Sequence, residues 1–197
     1  HFLKFAACFT MIIFLYGQDS YSLIQYVNQL VERYQKKYPE SFNLHRFDLE
    51  TDDQNEIRNA IKENSFFKQV KFVIVKNPFA KSDFLEKVIK DPSTSSGQES
   101  IAKQKDSVLL LYQTGEQEKF KNLKLFTLLT KIAQTKEFKP PTTQTINKFA
   151  SVYLIKNKVS IKKELLAKLI KEIGSDFWRL KNELDKWLWK DKKQINM

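Results

Sequence analysis

The chain has 197 residues, 42% hydrophobic and 29% charged, with 34 Lys+Arg against 23 Asp+Glu and a net charge of +11. That is long enough for one ordinary domain or two small ones with a buried core, and the balance is that of an ordered globular protein. The four glycines (Gly17, Gly97, Gly115, Gly174) do not fall at the spacing of a phosphate loop or a dinucleotide fingerprint, and Cys8, His1 and His45 cannot frame a zinc site or a disulfide. A single thiol fits a cytosolic protein. The positive excess favours a polyanionic partner such as nucleic acid, while AT-rich coding would inflate Lys, Asn, Ile and Phe in the same way.

Taken in order, Phe5 to Tyr16 form an apolar run behind Lys4, too short to span a bilayer and with no small-residue cleavage site after it. The reading that fits best starts the protein at Met11, with residues 1–10 an upstream extension and Ile12 to Tyr16 a buried first strand. Gly17 to Ser20 then turn into a helix with Leu23, Val27, Leu30, Val31 and Tyr34 at helical spacing, closed by Pro39. Phe42 to Leu49 alternate as a second strand. A helix bearing Ile57, Ala60 and Ile61 follows, then a strand over Val70 to Val75, a short helix marked by Phe84, Leu85, Val88 and Ile89, and a strand over Val108 to Tyr112. Asp91 to Ser100 and Ala102 to Asp106 form the loose region, in which Asp91 to Gln98, low in apolar content, are expected to be a mobile surface loop.

Strands separated by helices imply a mainly parallel sheet with helices on its faces. Pro140-Pro141 divide the chain, and three helices are expected beyond them. Thr142 or Thr143 can cap the first, Ser160 the second, which Gly174 ends, and Ser175-Asp176 the third, with Phe177, Leu180, Leu184, Trp187 and Leu188 as its apolar stripe. Residues 140–197 hold 13 basic and 6 acidic residues, a net +7, against 21 and 17 before them.

No constellation carries catalytic chemistry. Ser65-Phe66-Phe67-Lys68 and Ser160-Ile161-Lys162-Lys163 match S-x-x-K without its companion motifs. Glu50, Asp52, Asp53 and Glu56 could bind Mg²⁺, but carboxylates before a helix more simply complement its dipole. The apolar strands run into Lys76-Asn77 and Tyr112-Gln113 where a nucleotidase would place Asp-Glu. No catalytic, metal or cofactor site is therefore expected. Phe66 and Phe67, at the end of a polar helix, read either as core or as an exposed anchor for a partner's hydrophobic pocket.

Three motifs, in order, resemble one family. Leu15-Tyr16-Gly17-Gln18-Asp19-Ser20-Tyr21 is similar to the LYGED-x-Y opening of the delta subunit of the bacterial DNA polymerase III clamp loader. Ser65-Phe66-Phe67 resembles that family's S-L-F segment, and Gly174 to Trp187 its closing G-x-D-L-x-x-L-x-N-E-L-x-K-L. The resemblance implies an AAA+-like α/β domain without a phosphate loop over 11–139 and a small three-helix lid domain over 140–197. It implies a non-ATPase, cytoplasmic subunit of DNA replication that binds and opens the sliding clamp through Phe66 and Phe67. Its partners would be the clamp, other loader subunits and primed DNA, with no membrane and no cofactor. Polymerase activity would attach to it only through the holoenzyme. Family members continue into a third, collar-forming domain, whereas this sequence stops at Met197. The competing readings are a basic nucleic-acid-binding α/β module without clamp affinity, and an enzyme with an unrecognised site.

Overall fold

The computed structural model describes residues 11–62, 69–90, 107–159 and 161–195, with side chains as far as Trp189. Between Phe138 and Lys139 the chain divides into two compact units.

The first unit is an α/β sandwich. Its strands are β1 (Met11–Gly17), β2 (Leu44–Asp48), β3 (Lys71–Lys76), β4 (Ser107–Thr114) and β5 (Gln134–Phe138). Helices α1 (Ser20–Lys37), α2 (Gln54–Lys62), α3 (Ser82–Lys90) and α4 (Lys124–Ile132) connect them. All pairings are parallel, in the order β2-β3-β4-β1-β5. From β1 the chain steps towards β2 through α1. Every later step runs the other way. Right-handed crossovers put opposite steps on opposite faces, and the core follows that rule. Ile13 and Leu15 of β1 pack with Leu23, Val27, Leu30 and Val31 of α1. Ile12, Phe14 and Tyr16 pack with Ile57 of α2, Leu85 and Val88 of α3, and Leu125 and Leu129 of α4. Central strands covered on both faces need apolar side chains throughout, which is why β1, β3 and β4 read so clearly as runs.

Three local features differ from expectation. The second strand begins only at Leu44, because Ser41 takes a left-handed φ of 50° and leaves Phe42 63% exposed. The strand β5 and the helix α4 lie in a stretch where no element was foreseen. In β5 only Phe138 is buried, so the strand is held by pairing to β1 and carries no apolar alternation. Residues 1–10, and 91–106 with their expected loop, lie outside the described residues.

The second unit comprises α5 (Thr143–Lys156), α6 (Lys163–Ile173) and α7 (Phe177–Ile195). Thr142 caps α5 by accepting from the Thr145 amide, and Asp176 caps α7 by accepting from the Arg179 amide. Gly174 closes α6 at φ 71°, its amide donating to the Ile170 carbonyl. Ser160 lies outside the described residues, and α6 starts instead after Lys162, which makes no side-chain cap. Among the described residues of this unit, Ile146, Ala150, Leu154, Ile170, Ile173, Phe177, Leu180 and Leu184 are buried.

Candidate functional site

In a doubly covered parallel sheet, ligands favour the carboxyl end of the strands where neighbouring connections diverge. Here that place lies between β1 and β4. It is shut. The link from β1 to α1 is only Gln18 and Asp19, too short to wrap a phosphate. The Asp19 carboxylate accepts from the Ser22 amide at 2.9 Å, so the helix start already has its own anion. The Asp19 amide in turn donates to the Phe138 carbonyl at 3.1 Å. Gly17 makes this closeness possible, because a β-carbon there would sit 2.1 Å from the Phe138 oxygen.

Aromatic rings fill the other side of the same end. Phe14 and Tyr16 of β1 meet Phe126 of α4 at 5.8 and 5.3 Å between ring centres. Phe79, just past β3, stacks on Phe120, just past β4, at 4.6 Å, and Phe79 also meets Phe14 edge-on at 5.9 Å. Such a cluster adds packing energy beyond its buried area.

Where β2 and β3 end, a polar knot replaces metal-binding carboxylates. The Lys76 ammonium donates to Asp48 Oδ2 at 2.7 Å, and the Asn77 amide nitrogen donates to Asp48 Oδ1 at 2.9 Å. Asn77 is buried, with a left-handed φ of 54°, and its backbone amide donates to the Tyr112 carbonyl. Partial burial pushes the Asp48 carboxyl up, but the bonds from Lys76, the Glu50 amide and Asn77 outweigh it and hold it below its ordinary value. Lys76 is held above its ordinary value, first by its bond to Asp48. The neighbouring carboxylates are spent on local structure. Asp53 accepts from the Asn55 and Glu56 amides at the start of α2, and Asp52 accepts from the Asp48 amide. Among the described residues no three potential metal ligands stand together.

Phe66 and Phe67, the residues expected to touch a partner, lie outside the described residues. The ends of their connection are described, and both are pinned at the amino edge of the sheet, opposite the closed crevice. Lys71 opens β3 and is only 4% exposed, its ammonium donating to the Ile61 carbonyl in the last turn of α2 at 2.9 Å. The hydroxyl of Tyr34 donates to the Val70 carbonyl at 2.9 Å, and burial pushes that phenol up to about 12. Sequence reasoning missed both tethers, because a lysine opening an apolar strand ordinarily points to solvent.

The three-helix unit carries a second buried-edge network. Tyr153 of α5 donates to Asp185 of α7, which also pairs with Lys181 at 2.6 Å. Phe149 of α5 meets Phe177 of α7 at 4.8 Å. No described helix is long and apolar enough to cross a membrane.

A five-stranded parallel sheet in this order with helices on both faces, followed in sequence by a three-helix unit, defines an AAA+-like fold. The chain superposes on domain III of the Thermotoga maritima replication initiation protein DnaA with a TM-score of 0.58 at 12% identity, covering 93% of this chain and 77% of that one. It superposes on the Bacillus subtilis DNA clamp loader delta protein (YqeN) with a TM-score of 0.52 at 22% identity, covering 90% of this chain and 52% of that one. The chain thus spans about half the length of the Bacillus protein. Among curated proteins no sequence matches. The sequence profile of the family described as DNA polymerase III, delta subunit, matches residues 14–139, and the chain belongs to that family.

Proposed function

We propose that this chain works in DNA replication as a non-ATPase subunit of a clamp loader, binding the sliding clamp and holding one of its interfaces open. The observation that carries this reading is membership of the delta-subunit family over residues 14–139. The closed crevice supports a scaffold role: a carboxylate caps the helix that would otherwise receive phosphate, and aromatic rings fill the space beside it. Residues 11–139 are the clamp-binding domain and residues 140–197 the lid. The other partners are the remaining loader subunits and primed DNA, and the setting is the cytoplasm.

Phe66 and Phe67 are the clamp contact in this reading. The pinned ends of their connection support it, because a fixed base lowers the ordering cost of presenting two rings to a pocket. Truncating a hot-spot aromatic costs about 2 kcal/mol or more, roughly thirtyfold in affinity. The test is the double variant Phe66→Ala, Phe67→Ala, measured for clamp affinity and for thermal melting. Clamp binding is expected to vanish with the melting transition nearly unchanged. If both rings were core, melting would fall steeply, by roughly 3–5 kcal/mol of stability per ring, with clamp affinity intact in the folded fraction. That outcome would overturn the assignment.

A further inference from the structure

The +7 of residues 140–197 is unevenly placed. From Thr142 to Lys171 there are seven lysines and one carboxylate, Glu164. From Glu172 to Trp189 four carboxylates stand against three basic residues. Four of the lysines, Lys156, Lys158, Lys162 and Lys163, fall within eight residues at the turn joining α5 to α6, and all four are exposed. The ion pairs of the described residues lie elsewhere. Lys76, Lys90, Lys119, Lys121, Lys181 and Lys186 each have a carboxylate partner, and the four turn lysines have none among the described residues.

The start of the turn, as far as Val159, is held by backbone hydrogen bonds, which matters for a charged surface. The Asn157, Lys158 and Val159 amides all donate back to carbonyls of the last turn of α5, and Lys158 takes a left-handed φ of 58°. Both helices pack on α7. Four ammonium groups thus fall within eight residues, where their mutual repulsion meets no ion-paired carboxylate among the described residues. A polyanion relieves it.

We infer that the α5–α6 turn is a docking point for the nucleic-acid phosphate backbone, with Lys156, Lys158, Lys162 and Lys163 as the contacting groups and no reading of base sequence. The inference rests on the replication reading for its choice of DNA over other polyanions. One observation separates it from a mere excess of net charge: four exposed lysines cluster within eight residues at one turn. Each phosphate neutralised releases counterions, so the slope of log affinity on log salt counts the contacts, at about 0.9 per phosphate on duplex DNA.

The experiment uses the full chain and a labelled random-sequence duplex, read by anisotropy from about 50 to 200 mM salt. One variant replaces Lys156, Lys158, Lys162 and Lys163 by Gln. A control of equal charge replaces the ion-paired Lys90, Lys119, Lys121 and Lys186 by Gln. Circular dichroism verifies that both fold. The turn variant is expected to bind at least about tenfold more weakly at the lowest salt, with a slope shallower by about 3, and the control to change little. Equal losses in the two variants would mean that only net charge matters and would overturn the proposal. Binding of the wild type to phosphatidylserine vesicles but not to the duplex would also overturn it, in favour of a membrane surface. Clamp affinity of the turn variant should stay at the wild-type value, so a failure here is distinct from a failure of the Phe66 and Phe67 assignment.

Discussion

Replacing Gly17 by alanine tests how the closed crevice is held. The new β-carbon would lie 2.1 Å from the Phe138 oxygen and 2.7 Å from its carbon and nitrogen. All three are backbone atoms, so no flexible side chain can give way and β5 must move outward. That move breaks the bond from the Asp19 amide to the Phe138 carbonyl, worth about 1 kcal/mol. The φ of +141° adds strain of about 1–3 kcal/mol for any residue with a side chain. With the contact itself partly relaxed, the total is about 3–5 kcal/mol, a large part of the ~5–15 kcal/mol that holds an average domain together. Urea unfolding of the full chain measures it through the midpoint and slope. Gly174→Ala is the control, since nothing lies within 4 Å of its added carbon and only the φ of +71° resists, at about 1–2 kcal/mol. If Gly17→Ala cost no more than Gly174→Ala, the close approach of β5 would not be what fixes this end of the sheet.

Two further outcomes follow from the ion networks. Asp48 has a depressed folded-state pKa, so its contribution to stability is complete above the ordinary carboxylate value near pH 4 and is lost as pH falls through the folded one. Asp48→Asn should therefore flatten the acid limb of a stability-against-pH curve, and an unchanged limb would show that the knot at Lys76 and Asn77 contributes nothing. Tyr153→Phe removes the hydroxyl that donates to Asp185 and should cost about 1–2 kcal/mol. It should also raise the Asp185 pKa, which carboxyl NMR would follow; a carboxyl resonance that titrates as in the wild type would refute the bond.

How much of this was legible beforehand depended on how each element is held. Strands β1, β3 and β4 could be read because burial on both faces writes an unbroken apolar run, and α1 because five buried residues recur at helical spacing. The polar β5 could not. Its Gln134, Thr135, Lys136 and Glu137 are all exposed, and what makes it a strand is the backbone of β1, an agent more than a hundred residues away in sequence. The helix α4 lacked an entry signal, since Leu123 stands at its cap without a side-chain bond. The Asp48–Lys76–Asn77 knot joins residues 28 and 29 positions apart, a pairing that no local pattern records. Lys71 was misleading in the opposite sense, as a charged residue whose burial depends on a carbonyl supplied by another element. The role given to Phe66 and Phe67 came only from resemblance to a family, since two aromatics after a polar helix fit a core as well as a contact, and both lie outside the described residues.

The strand order has a consequence for how the protein is made. The most apolar strand, β1, leaves the ribosome first, yet its neighbours are β4 and β5, and its pairing begins with Met11 against Val108 and Ile13 against Gln134. At about 5–20 residues per second, the 97 residues from Met11 to Val108 take roughly 5–20 s to synthesise. Throughout that interval Ile12, Ile13, Phe14 and Leu15 have no strand to join, while β2 and β3 can already associate through the short α2 connection. The nascent chain thus carries this apolar segment without a partner strand while about a hundred further residues are made, which makes it a natural client for chaperones that hold apolar stretches until β4 has emerged.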